Sequence, residues 1–104
     1  MEKDELKKHY TYLNNLLTKF LEGEKENGNG SNETKRKNGL SKMEESLLLF
    51  KQYAEHNSEL KAFIFAEKYS GSVKEFAWGE LCSLTYFGKD MKSILSIMKT
   101  KIEQ

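Results

Sequence analysis

The chain has 104 residues, a formal net charge of +1 and a single cysteine, Cys82. That length accommodates one domain around one core, and Cys82 alone excludes an internal disulfide. Near-neutrality argues against a general nucleic-acid or anionic-surface binder, whose footprint is a strongly basic face.

The charge is also evenly spread. Residues 1–22 are neutral, 23–40 carry +1, 41–70 carry −1 and 71–104 carry +1. Arg36 is the only arginine, which weakens bidentate phosphate or guanine recognition further. Proline is absent and glycine clusters at boundaries, a pattern that suits an all-α chain. The Lys- and Asn-rich usage fits an AT-rich coding genome, as in a low-GC bacterium, its phage or a mobile element. The charged start "MEKDELKKHY" lacks an apolar signal core, and the free cysteine suits a reducing compartment. A cytoplasmic location is expected.

The first element reads as a helix from about residue 4 to 21. Leu6, Tyr10, Leu13, Leu17 and Phe20 recur at alternating spacings of four and three, a stripe on one helical face. Residues 23–40, "GEKENGNGSNETKRKNGL", then carry almost no large apolar side chain. They read as a long flexible linker, with a random-coil reach of roughly 20–25 Å. On such a tether helix 1 could pack on its own chain or exchange with a neighbour's. Lys35, Arg36 and Lys37 in this tract are candidate phosphate contacts, although three charges in a linker are commonly just solvated.

Ser41 with Glu44 forms a capping-box pattern that would open the second helix. Met43, Leu47, Phe50 and Ala54 supply its inward stripe. "HNSEL" is a candidate break, so residues 41–69 form either one bent helix or two. Gly71, followed by Ser72 with Glu75, marks the next boundary. A helix from Ser72 to Phe87, stopped by Gly88, should follow. Asp90 then caps a last helix carrying Met91, Ile94, Leu95, Met98 and Ile102 on one face. The expected architecture is a single domain: a bundle of four or five helices, with a linker after the first and a core in residues 41–104.

The stretch "EFAWGELCSLTYFG" is apolar on nearly every side. On a straight helix, Val73, Phe76, Ala77, Leu81, Leu84 and Phe87 share one broad face, while Trp78, Cys82 and Tyr86 follow a second line at i, i+4, i+8. A central helix with neighbours on both sides explains this pattern first. The alternative places the second line against a partner, because Trp and Tyr are enriched at interface hot spots. Phe65 and Tyr69 would extend such a surface.

Chemistry-bearing residues are few. His9 and His56 are far apart in sequence, and His9 with Glu5 reads as a surface i, i+4 pair. Neither histidine has a companion at metal-ligand spacing, and Cys82 has no CxxC partner. No catalytic, metal or cofactor site is expected. The function that fits these residues is a small non-enzymatic interaction module, an adaptor, modulator or small subunit. It would dock on a protein partner or a second copy through Trp78, Cys82, Tyr86, Phe65 and Tyr69.

One runner-up is a helix-turn-helix regulator built around Gly71, with Lys74 and the Lys35–Arg36–Lys37 cluster touching nucleic acid. Its second helix, however, carries Glu75 and Glu80 and mostly apolar residues where a groove reader needs polar ones. Another alternative rests on class alone: bacteriocin immunity proteins are also small helical bundles, but no motif here matches one.

Overall fold

The computed structural model describes residues 1–29, 32–69 and 74–104. Five helices and no strand lie among them: α1 Lys3–Asn29, α2 Glu33–Glu55, α3 Ser58–Tyr69, α4 Lys74–Leu81 and α5 Phe87–Glu103. The all-α class holds. The expected turn at Gly71, the expected cap Ser72 and Val73 lie outside the described residues.

α1 buries Leu6, His9, Leu13, Leu16, Leu17 and Phe20, the positions that three- and four-residue spacing brings to one face. The helix does not stop at Leu21. It continues to Asn29, and α2 starts at Glu33, where Asn32 Oδ1 accepts a 2.8 Å hydrogen bond from the Thr34 amide. The expected flexible linker over 23–40 is therefore corrected to two helix ends, closed into an antiparallel αα-hairpin. Ser41 is an interior, exposed residue of α2 rather than its cap, because Asn32 already fills that role.

Glycine explains why so polar a tract packs. A Cβ on Gly23 would lie 2.5 Å from the Gly39 carbonyl oxygen, and a Cβ on Gly39 would lie 2.5 Å from the Gly23 carbonyl oxygen and the Asn27 amide nitrogen. The two backbones thus meet where no side chain intervenes. Polar side chains complete the seam. Lys42 Nζ donates to Glu26 Oε1 at 2.6 Å, Asn27 Nδ2 donates to the Arg36 carbonyl at 3.0 Å, and Lys19 pairs with Glu45 at 2.8 Å.

Residues 41–69 belong to two helices. His56 bonds its amide back to Gln52 and Ala54, and Asn57 Nδ2 donates to the Tyr53 carbonyl at 2.7 Å, so the last turn of α2 is satisfied locally. α3 restarts at Ser58 and buries Leu60 and Ile64.

The expected single helix over 72–87 is also corrected. α4 ends at Leu81. Ser83 Oγ donates to the Glu80 carbonyl at 2.7 Å and accepts from the Tyr86 amide at 3.2 Å, a side-chain competition that breaks helical continuity. Gly88 does not stop a helix. It sits buried in the first turn of α5, and its Cβ position is 3.4 Å from the Phe20 ring, which lets α5 lie close to α1. Asp90 lies inside that first turn rather than capping it, where its charge still complements the helix dipole.

Phe87, Met91, Ile94, Leu95 and Met98 of α5 are buried. At about 1.5–3 kcal/mol for each fully buried apolar side chain, that stripe anchors the last helix firmly. Lys101 with Glu67 at 3.4 Å, and Lys68 donating to Ser93 at 3.0 Å, tie α5 to α3 at the surface.

Candidate functional site

The candidate residues divide between a ladder of stacked rings and the exposed chain beside it. Phe20, Phe50 and Phe87 are fully buried at the centre, with centroids 4.9 Å apart for Phe20–Phe87 and 5.5 Å for Phe50–Phe87. The ladder runs outward from Phe50 to Trp78 at 5.4 Å, from Trp78 to Phe65 at 5.6 Å, and from Phe65 to Tyr69 at 6.2 Å. These offsets are the tilted geometries that aromatic quadrupoles favour. Lys61 Nζ lies 4.7 Å from the centroid of the Trp78 ring, close enough for a cation–π contact.

Trp78, Phe65 and Tyr69 are thus brought together, all three partly buried. Cys82 is in the core, where burial pushes its thiol up to about 11 although Lys51 and Lys61 pull the other way. A thiol held that high is a poor nucleophile at neutral pH. Tyr69 is pushed up to about 12, by burial first and then by the negative charges of Asp90 and Glu80.

Tyr86 does not join them. The i, i+4, i+8 line requires a straight helix through residue 86, and α4 ends five residues earlier, at Leu81. Tyr86 is 45% exposed, together with Phe76 at 66% and Leu84 at 39%. Phe76 and Leu84 were expected on the inward face. Of that group Ala77, Leu81 and Phe87 are buried, but Phe76 points outward and Leu84 falls in the turn after α4. The break at Ser83 is the signal that helical periodicity could not register.

Lys35, Arg36 and Lys37 occupy exposed positions on the first turns of α2, where Lys37 pairs with Glu33 at 3.3 Å and the Arg36 carbonyl holds Asn27. Lys74 opens α4. The basic candidates therefore belong to two separate helices.

His9 was misplaced by sequence reasoning. It is buried, with Nδ1 2.6 Å from the Tyr53 hydroxyl, and Tyr12 stacks on Tyr53 at 4.1 Å. Burial holds the His9 pKa down, against the raising influence of Glu5 and Glu59. His9 and His56 also line one polar pocket of about 410 Å³, beside Tyr53 and Asn57. Their separation in sequence concealed this, because the α1–α2 hairpin returns residue 53 beside residue 9. Among the described residues no group of His, Cys, Asp and Glu is arranged to hold a metal ion. No described helix is long and apolar enough to cross a membrane.

No family model, curated protein or solved structure matches the chain.

Proposed function

We propose that this protein is a small, non-catalytic interaction module that docks on a protein partner through the α4 edge. The reading places Phe76, Leu84 and Tyr86 in the contact, with Trp78, Phe65 and Tyr69 as the rigid backing. One observation carries it: three large apolar side chains stand exposed within residues 76–86, and Phe76 is two-thirds in solvent. Exposed apolar side chains grouped beside a packed aromatic cluster are the material of interface anchors. Cys82 serves the core in this reading, and its raised pKa and burial support that role.

The helix-turn-helix alternative receives less support. Among the described residues α4 spans eight, and its sequence sets one basic residue, Lys74, against Glu75 and Glu80.

The test is affinity capture from host lysate, with and without nuclease, using wild type and a Phe76→Ser/Leu84→Ser variant. A stoichiometric protein that survives nuclease and is lost with the variant is the expected result. Retention by the variant, or recovery of nucleic acid with everything else released by nuclease, contradicts the proposal.

A further inference from the structure

The start of α1 and the outer face of α3 enclose a groove of about 800 Å³. Its floor is apolar, formed by Ala62, Phe63 and Ala66 with Met1, and its rim is Glu2, Glu5 and Glu59. Residues 59, 62, 63 and 66 share one face of α3 by helical spacing. Phe63 and Phe65 leave the helix about 200° apart, so this groove and the Trp78 ladder lie on different sides of α3.

The rim chemistry is one-sided. Glu26, Glu33, Glu45 and Glu67 each pair with a lysine. The carboxylates of Glu2, Glu5 and Glu59 form no ion pair or side-chain hydrogen bond among the described residues. Met1, which carries the α-ammonium, is the one lining residue with a cationic group, and Lys8 lines only the neighbouring polar pocket, which Glu5 and Glu59 also reach.

An apolar floor favours an occupant that brings apolar surface. Three carboxylates against a single α-ammonium leave the groove net negative, which rejects anionic occupants and draws cationic ones. Phosphate backbones and anionic lipid surfaces are therefore disfavoured on charge. Every described element here is a helix, so no sheet edge is available for strand addition. A groove between two helices with an apolar floor suits the helix-in-groove mode, with apolar anchors spaced along one face.

We infer that this groove docks a cationic amphipathic helix of a partner protein. Its apolar side rests on Ala62, Phe63 and Ala66, and its lysines or arginines face Glu2, Glu5 and Glu59. This is a second surface, independent of the α4 edge.

The test uses two dye-labelled helical peptides of about four turns, one of leucine and lysine and one of leucine and glutamate, each with its leucines on one face. They are titrated by fluorescence anisotropy into the full chain. The leucine–lysine peptide should bind and the leucine–glutamate peptide should not. Glu5→Lys/Glu59→Lys should weaken the lysine peptide at least about tenfold, with helicity checked by circular dichroism. Ala62→Gln fills the floor without changing the groove's charge and should weaken it comparably, so the inference stays testable should the charge reversal fail to fold. Phe76→Ser/Leu84→Ser should leave the affinity unchanged.

Absence of lysine-peptide binding, equal binding of both peptides, or insensitivity to both groove variants overturns the inference. Loss of binding on Phe76→Ser/Leu84→Ser alone also overturns it, by moving the contact to the α4 edge and leaving that proposal standing.

Discussion

In the α1–α2 hairpin, Gly23 and Gly39 bring two backbones into contact, and a lysine, a glutamate and an asparagine finish the seam. Around α4 the balance is reversed: rings stack from Phe20 out to Tyr69, yet Phe76, Leu84 and Tyr86 remain in solvent. The end of the hairpin around residues 23–27 and 36–42 packs tightly with almost no apolar side chains. The second has apolar side chains in excess of the packing sites available. Whether a segment is buried therefore depends on how closely backbones approach and which way a side chain leaves its helix, and composition predicts neither. Added atoms should injure the hairpin, whereas atoms removed from the α4 edge should injure binding and spare the fold.

The largest effect is expected where the ladder enters the core. Phe50 is fully buried between Phe87 and Trp78, and Phe50→Ala should cost about 3–5 kcal/mol in denaturant unfolding. A loss under about 1 kcal/mol would show that the ladder is not continuous with the core.

Next comes one substitution made in both regions. Gly39→Ala places a Cβ 2.5 Å from backbone atoms of α1. The overpacking cost of about 1–3 kcal/mol should exceed the propensity gain of up to about 1 kcal/mol. A Cβ at Gly79 in α4 meets nothing within 4 Å, so Gly79→Ala should stabilise by about 0.5–1 kcal/mol. Equal signs for the two would dissolve the contrast.

Smaller still, Phe76→Ser should change stability by no more than about 0.5 kcal/mol while removing partner capture. A large loss of stability would instead make Phe76 part of the core.

The two regions should also fail at opposite ends of the pH scale. His9, between the hairpin helices, is held below its ordinary 6.5 by burial. The unfolded chain takes up that proton first, so stability should fall as pH drops through about 6.5, and His9→Asn should flatten this slope. On the α4 side, Cys82 rises from 9.0 to about 11 and Tyr69 from 10.0 to about 12. The unfolded chain releases those protons first. Stability should therefore hold below about 9 and fall towards about 12, a slope that Cys82→Ala with Tyr69→Phe should reduce. Unfolding midpoints measured across pH decide both.

Much of the fold was legible because periodicity reports burial directly: Leu6, Leu13, Leu17 and Phe20 of the α1 stripe, Met43–Leu47–Phe50–Ala54 in α2, and Met91–Ile94–Leu95–Met98 in α5 are buried, and Tyr10 of the α1 stripe is half-buried. The hairpin seam was not legible. Glycine signals a flexible linker and a close backbone crossing alike, and only the partner glycine across the gap separates the two. Of the candidate residues, the rings of Phe65, Tyr69 and Trp78 are neighbours. Tyr86 is not among them, since Ser83 breaks the helix through hydrogen bonds to Glu80 and Tyr86 that no wheel projection contains. The carboxylate-rimmed groove joins residues 2–5 to 59–66 and could emerge only once α3 was placed beside α1.

Native-state hydrogen exchange, read amide by amide by NMR, tests the contrast between the regions most directly. Amides at 23–27 and 37–40 should show protection approaching that at the centre of α1, while α4 amides, in a short helix with a solvent-facing side, exchange faster. Exchange of residues 23–40 at unstructured rates would contradict the glycine-sealed hairpin and restore a flexible tether in its place.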